Sequence, residues 1–330
     1  MTRTLPPPSA TSAAAPARGA RRGVGRRRAV AVLALAFTAV VLLGLVPGFV
    51  GSAVSTALPW LGLLLVPLLV AAIAVRGRIW LVALVPTIAW AFAVGPSFAW
   101  LPAPDGGGDA AAADAADAPA ELVFASQNVE ALSGTAADSA TTLVEAGADV
   151  IALTELEGDA REQADAALEA SHPYSYAVGT VGIWSTSPIS NARPLELGLG
   201  WNRALTVDIS APAGLVSVYV VHAASLRPGA QSDRDTMLDE LAAVIDRDEN
   251  ERVVALGDFN AASTDPALAS IRRTLSEPGQ SEPSFGFTWP AAFPVARIDH
   301  LFQRGLTPVE NTVLPAGASD HLAVLTTLRY

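Results

Sequence analysis

Residues 252–263 read Arg-Val-Val-Ala-Leu-Gly-Asp-Phe-Asn-Ala-Ala-Ser. An apolar run, Val253 to Leu256, stops at Gly257 and delivers an acid (Asp258), an aromatic (Phe259) and an amide (Asn260). A short apolar run closed by glycine predicts a buried strand. Burying a carboxylate at the end of such a strand is costly unless the group is paired or metal-bound. Taken alone, Asp-Phe-Asn is an ordinary turn composition.

The pattern recurs. Leu122–Ser126 runs into Gln127 and Asn128. Val150–Thr154 delivers Glu155, Val218–Val221 delivers His222, and Arg297-Ile298 delivers Asp299 and His300. Ser319 precedes Asp320 and His321, where the last apolar run begins. Each hydrophobic segment carries a carboxylate, amide or imidazole to its edge. Carboxylates gathered at strand ends repel one another, and a hard divalent cation with oxygen ligands relieves that conflict. Asp258 and Asn260 are two apart, so an extended segment would point both side chains to one side.

Strand-like runs are predicted at 122–129, 150–153, 181–184, 204–209, 216–221, 253–256, 298–302 and 322–328. Helices are predicted at 135–147, 159–170, 232–247 and 265–275. Met237, Leu238, Leu241, Ala242 and Ile245 recur at helical spacing. Strands alternating with helices indicate an α/β domain with mixed sheets.

The ordered set Gln127-Asn128-Val129, Glu155, His222, Gly257-Asp258-Phe259-Asn260, Arg297-Ile298-Asp299-His300 and Ser319-Asp320-His321 resembles the endonuclease/exonuclease/phosphatase superfamily. That group includes pancreatic-type deoxyribonucleases, abasic-site endonucleases, neutral sphingomyelinases and inositol polyphosphate phosphatases. Phe287-Thr288-Trp289-Pro290 is a further family-like feature, and the resemblance covers residues 121–330. It implies a four-layer α/β sandwich, two mixed sheets face to face with helices outside. It also implies metal-dependent hydrolysis of a phosphoester, with Mg2+ as cofactor and Mn2+ or Ca2+ as substitutes.

The resemblance distributes the roles. Glu155 would be the main metal ligand, with Asn128 beside it and Asp320 completing the shell. Asp299 would orient His321 and stabilise its cationic form. Asp258 would orient or deprotonate the attacking water. Asn260 would bond the phosphate and the nucleophile, and His222 would donate to a phosphate oxygen. One departure is Thr154, where many relatives carry Gln before the metal-binding Glu. Arg203 is the leading candidate for contacting the substrate phosphate, with Arg227 and Arg234 behind it. His300 reads as structural and His172 as a loop residue.

Composition limits the rest. The 330 residues contain no cysteine, which excludes disulfides, thiolate metal sites and a cysteine nucleophile. Residues 121–330 hold 12 Arg against 28 Asp and Glu, a net charge of −16 that disfavours tight binding to polyanions. Residues 1–28 are rich in Pro, Ala and Arg and read as a disordered basic cytoplasmic tail. Apolar stretches at 29–50, 56–75 and 79–100 each approach the ~20 residues that cross a bilayer. They contain no Asp, Glu or His, so an anchor is favoured over a transporter or sensor. Arg21–Arg28 precede the first stretch, Arg76 and Arg78 separate the second and third, and the loop Gly51–Ser55 is uncharged. The positive-inside rule then places the arginines in the cytoplasm and the domain outside the cell. Residues 101–120 read as an Ala/Gly/Asp linker.

The expectation is a multi-pass, membrane-anchored phosphodiesterase or nuclease with no obligate protein partner. Nucleic acid, lipid headgroup and small phosphate ester remain open as substrates. A catalytically silent envelope binding domain is the alternative from a different class.

Overall fold

The structure, a computed structural model, describes residues 18–75, 77–98, 120–212 and 214–330. Residues 1–17 and all but the last residue of the expected linker lie outside the described residues.

Three helices come first: α1 (Arg18–Leu43), α2 (Phe49–Ala74) and α3 (Trp80–Val94), the last followed by a short 3-10 turn, Gly95–Phe98. They pack on one another through Val30, Ala34, Leu65, Leu68, Ala72 and Ala83. Their outer faces expose Leu33, Leu35, Leu63, Val70, Val85 and Phe92. Among the described residues, two spans, Phe49–Ala74 and Trp80–Phe98, are long and apolar enough to cross a membrane. This corrects the expected count of three. The basic segment does not stop where helix begins, because α1 already starts at Arg18. Its uncharged part, Ala29–Leu43, is 15 residues, about 22 Å at 1.5 Å per residue and short of a ~30 Å hydrocarbon core. Helix α1 thus runs through Arg18–Arg28, within the segment expected to be disordered. The loop expected at Gly51–Ser55 lies within α2, and the turn falls earlier, at 44–48.

The rest of the chain forms two sheets. The first has the order β10-β11-β1-β2-β4-β3, built from β1 (Glu121–Asn128), β2 (Val150–Thr154), β3 (Tyr174–Val178), β4 (Val181–Ser185), β10 (Thr307–Leu314) and β11 (Ala323–Arg329). The second has the order β5-β6-β7-β8-β9, from β5 (Ile189–Pro194), β6 (Ala204–Ala211), β7 (Gly214–His222), β8 (Val253–Asp258) and β9 (Asp299–Arg304). Each sheet holds one parallel pair, β1 with β2 and β7 with β8, and every other pairing is antiparallel. The parallel pairs need crossover helices. These are α4 (Ala136–Glu145) and α6 (Gln231–Asp246), with α5 (Ala160–Leu168) beside α4.

Period-two alternation explains the packing. In β6, Leu205, Val207 and Ile209 enter the core between the sheets, where they meet Phe124, Val150 and Ile183 from the opposite sheet. Strand β8 is buried on both faces. Val254 and Leu256 face the other sheet, while Val253 and Ala255 face Met237, Leu238, Leu241 and Ile245 of α6. Full burial of such side chains contributes about 1.5–3 kcal/mol each. The architecture is the expected α/β sandwich of two mixed sheets with helices outside. Three strands absent from the sequence reading, β3, β5 and β10, belong to edge hairpins. The helix expected at 265–275 is instead two 3-10 turns, Pro266–Leu268 and Ile271–Arg273.

Gly257 sits in β8 where the backbone of β7 leaves no room for a side chain. Its φ is +137°, and a Cβ there would lie 2.0 Å from the Val221 carbonyl oxygen. Gly257→Ala is expected to destabilise the chain by about 1–3 kcal/mol through overpacking, read as a lower midpoint in denaturant unfolding.

Candidate active site

Strand register brings the polar tips to one edge. Asn128 ends β1 opposite Thr154, the last residue of β2, so Glu155 emerges beside it. His222 ends β7 opposite Asp258, the end of β8, and Asp258 faces Asp299 at the start of β9. His321 enters just before β11.

Asn128 Nδ2 donates to Glu155 Oε1 (3.0 Å) and to Asp258 Oδ2 (3.1 Å), joining the two sheets at their tips. Glu155 Oε2 accepts from Ala131 N, and Asn128 Oδ1 accepts from Glu130 N. His222 Nε2 is 3.5 Å from Glu155 Oε1 and 3.8 Å from Asp258 Oδ2. Asn260 N donates to Asp258 Oδ1 (2.8 Å), and its Nδ2 reaches Asp258 Oδ2 (3.2 Å) and the Ala223 carbonyl (3.0 Å). The acid and amide therefore converge, for a reason other than the one expected. Asn260 sits at φ +48°, so a local turn closed on Asp258 replaces the extended alternation. Glu155 is also left-handed, at φ +62°. Backbone strain of about 1–3 kcal/mol at each such residue is held by surrounding bonds and clusters at functional sites. Phe259, fully buried, packs edge-on against His300 and Phe302 and fixes the loop from below.

His321 Nδ1 bonds Asp299 Oδ2 at 2.8 Å. Burial alone would lower the imidazole's pKa, but the charge and hydrogen bond of Asp299, with the charges of Asp258 and Asp320, together outweigh it and raise it to about 10. His321 is thus a cation at neutral pH. Burial first, then the Asp299 charge, pushes the Asp258 carboxyl up to about 7. His222 behaves oppositely: burial, with Arg203 and His321 adding to it, holds it well below its ordinary value and neutral. Arg203 packs against that ring, Nη2 2.7 Å from Nδ1 and 2.5 Å from Nε2, and its guanidinium lies 4.8 Å from the centre of the Trp201 ring. Asp320 stands at the margin, its Oδ2 accepting from Trp289 Nε1 (3.1 Å) and its Oδ1 3.8 Å from His321 Nε2.

A cleft of about 360 Å³ opens over Glu155, Asp258, Asn260 and His321, with Ser225, Leu226, Trp289 and Ile298 on its walls. Thr56 of α2 lines it as well, which no sequence signal indicated. Other sequence-read residues do different work. Arg234 is fully buried, pairing with Asp265 (3.1 Å) and donating to Ser52 Oγ of α2 (2.8 Å) and to the Asn260 carbonyl (3.0 Å). It is a structural bolt and makes no phosphate contact, which corrects its place behind Arg203. His300 is structural, between Glu277 Oε1 (2.6 Å) and the Ala261 carbonyl (2.8 Å). His172 follows α5 in a loop but is buried, its Nε2 against the Ala148 carbonyl. Glu277, which the sequence gave no reason to single out, also pairs with Arg272 and Arg297 beneath the segment carrying Asp299.

Residues 125–321 match the family described as Endonuclease/Exonuclease/phosphatase. The chain belongs to this family. Similar solved structures include a humanized D. rerio TDP2 with 14 mutations (18% identity, TM-score 0.55, 64% of this chain and 99% of that one). A truncated Caenorhabditis elegans TDP2 is also similar (17%, TM-score 0.53, 64% and 98%), as is a beta toxin from Staphylococcus aureus (16%, TM-score 0.50, 62% and 99%). At these identities the likenesses show the fold alone. No curated protein sequence matches the chain.

Endonuclease/exonuclease/phosphatase family enzymes are phosphoester hydrolases that depend on a divalent metal ion, and the site's donors fit such an ion. Ligand atoms of Asp258, Asp299 and His321 lie within 4.8 Å of one another, and Asp299 Oδ1 is buried with no hydrogen-bond partner among the described residues. The Asn128 amide nitrogen bridges two carboxylates, at a place that calls for positive charge. A cationic His321 already bonded to Asp299 repels a metal, so a hard carboxylate apart from that pair, such as Glu155, suits it better.

Glu277 gives a test of the supporting frame. Burial would raise its carboxyl pKa, but Arg297, His300 and Arg272 hold it far below the usual range. Its stabilising effect is therefore full above the unfolded value near 4.3 and fades as pH falls toward the folded one. Glu277→Gln is expected to cost about 3 kcal/mol at pH 7 and to flatten the acid limb of the stability curve, measured by unfolding across pH.

Proposed function

We propose that the chain is a membrane-anchored, outward-facing, metal-dependent phosphodiesterase, with residues 121–330 as its catalytic domain. The observation that carries this reading is the convergence of Asn128, Glu155, His222, Asp258, Asn260, Asp299 and His321, from both sheets, on one edge. Glu155, Asn128 and Asp320 would hold the ion, Mg2+ by its preference for carboxylate and carbonyl oxygen. When bound, it supplies charge neutralisation at the phosphoryl oxygens. Asp258 accepts the proton of the attacking water, and Asn260 holds that water and a phosphoryl oxygen. Neutral His222, packed against the Arg203 guanidinium through both ring nitrogens and 3.5–3.8 Å from Glu155 and Asp258, would border the bound phosphate. His321 donates to the charge that develops on the departing or phosphoryl oxygen, and Asp299 fixes its ring. Arg203 contributes long-range positive charge beside an otherwise acidic site.

The anchored, outward orientation is supported by where the bundle meets the domain. The start of α2 contacts the domain through Ser52, Ser55 and Trp60. At the far end of the bundle, the Arg27 guanidinium reaches Gly77. Arginines and domain thus lie at opposite ends, as the positive-inside rule requires for an exported domain.

In detergent, the full chain is expected to hydrolyse bis-p-nitrophenyl phosphate with Mg2+ and to stop on chelation. Asp258→Asn and His321→Ala should each lower kcat by about 10²–10⁴, while Glu155→Ala should raise the Mg2+ concentration needed for half-maximal rate. Near-wild-type kcat in either of the first two variants would refute the mechanism, and an idle wild-type chain would refute it and favour a silent binding domain. On intact cells, added protease is expected to cleave the C-terminal domain; full protection would reverse the orientation.

A further inference from the structure

The cleft and the apolar bundle share a wall. Thr56 of α2 lines the cleft beside Asp258, Asn260 and His321. The contact is built. Arg234, fully buried, ties Ser52 of α2 to Asp265 and to the Asn260 carbonyl, and Thr264 Oγ1 donates to the Ser55 carbonyl at 2.9 Å. One turn further along α2, Trp60 Nε1 donates to the Val295 carbonyl (2.8 Å), and its ring stacks on Phe287 at 5.6 Å.

Helix geometry sets the depth of this wall. Ala74 closes α2 beside the arginine-bearing end of the bundle. From Ala74 back to Thr56 the helix rises about 27 Å, close to the ~30 Å of a hydrocarbon core. If the arginine end marks one boundary of the bilayer, Thr56 lies at the other, and Trp60 just inside it, at the level that tryptophan favours. The cleft therefore opens at the headgroup layer.

The rim agrees. The turn 290–295 is pinned at one side by Trp289, a wall of the cleft, and at the other by Trp60 of α2. Its tip, Phe293, is 70% exposed. Leu132, 78% exposed, caps the loop that bonds Glu155. Bare apolar side chains beside a polar site, continuous with an apolar helical surface, are suited to a lipid surface. The domain's charge of −16 is poorly suited to a polynucleotide.

We propose that the substrate is a bilayer-embedded phosphodiester, a phospholipid-type amphiphile whose headgroup phosphate enters the cleft along α2. This rests on the anchored phosphodiesterase reading and narrows its substrate. Water adds to phosphorus, one P–O ester bond breaks, and the departing oxygen takes a proton, leaving a phosphomonoester and an alcohol.

The test uses the full chain in proteoliposomes of phosphatidylcholine, phosphatidylethanolamine and phosphatidylglycerol with Mg2+. Three substrates are compared: the bilayer lipids, soluble bis-p-nitrophenyl phosphate, and plasmid DNA. Wild type should release product from the lipids and hydrolyse the soluble diester, leaving the plasmid intact. Phe293→Asp should lower lipid turnover at least tenfold and change soluble-diester turnover less than twofold. Leu215→Asp, at an exposed apolar position at the opposite end of β7 from His222, should change neither. Soluble-diester activity with no lipid turnover, with lipid turnover unaffected by Phe293→Asp, or with plasmid cleavage as fast as lipid turnover overturns the lipid inference and leaves the phosphodiesterase standing. Loss of all three activities in wild type overturns both.

Discussion

Crowded negative charge at a shared strand edge is the constraint on which the site depends. Asp258 and Asp299 face each other across the β8–β9 pair, and Glu155 joins them from the other sheet through the Asn128 amide. Water would screen such a cluster on an open surface. Here Asp258, Asp299, His222 and His321 are all nearly or fully buried, so each charge must be answered locally. His321 answers Asp299 and becomes a cation; Asp258, lacking a cation of its own, is pushed toward protonation. The fold holds the groups in this conflict, and a divalent ion with a phosphate would relieve it.

Two parallel strand pairs make the arrangement possible. In a parallel pair both C-terminal ends emerge on the same side, so Asn128 appears beside Glu155 and His222 beside Asp258. Packing the two sheets face to face then brings the four ends together. The antiparallel strands β9 and β11 contribute from their starts, which lie on that same edge, and so deliver Asp299 and His321. Loops alone would not hold these groups so closely. Here Phe259, Thr288 and Glu277 fix the connecting segments from beneath.

The apolar helices belong to the same construction. Arg234 is buried between α2 and the loop bearing Asn260, where it answers Asp265 and Ser52 together. A buried charge that lost one of these partners would be left uncompensated, so docking of α2 and the shape of the catalytic loop are mechanically linked. Sequence patterns do not reveal such a bolt, because an arginine on an amphipathic helix reads as a surface residue until its neighbours are known.

The sequence by itself determined the α/β class, the central strands, the helices α4 to α6 and the identity of the polar tips. Alternation, helical spacing and glycine punctuation are local signals, and each tip residue follows its own apolar run. Edge strands β3, β5 and β10 were not legible, because they are little buried and so carry little apolar pattern. Nor was the number of long apolar helices, which turned on where α1 begins among its arginines. Only the tertiary structure decided that Asn260 folds back on Asp258, that Arg234 is buried and that Thr56 enters the cleft. Each depends on contact between segments far apart in the chain, and local sequence carries no term for a neighbour that only folding supplies.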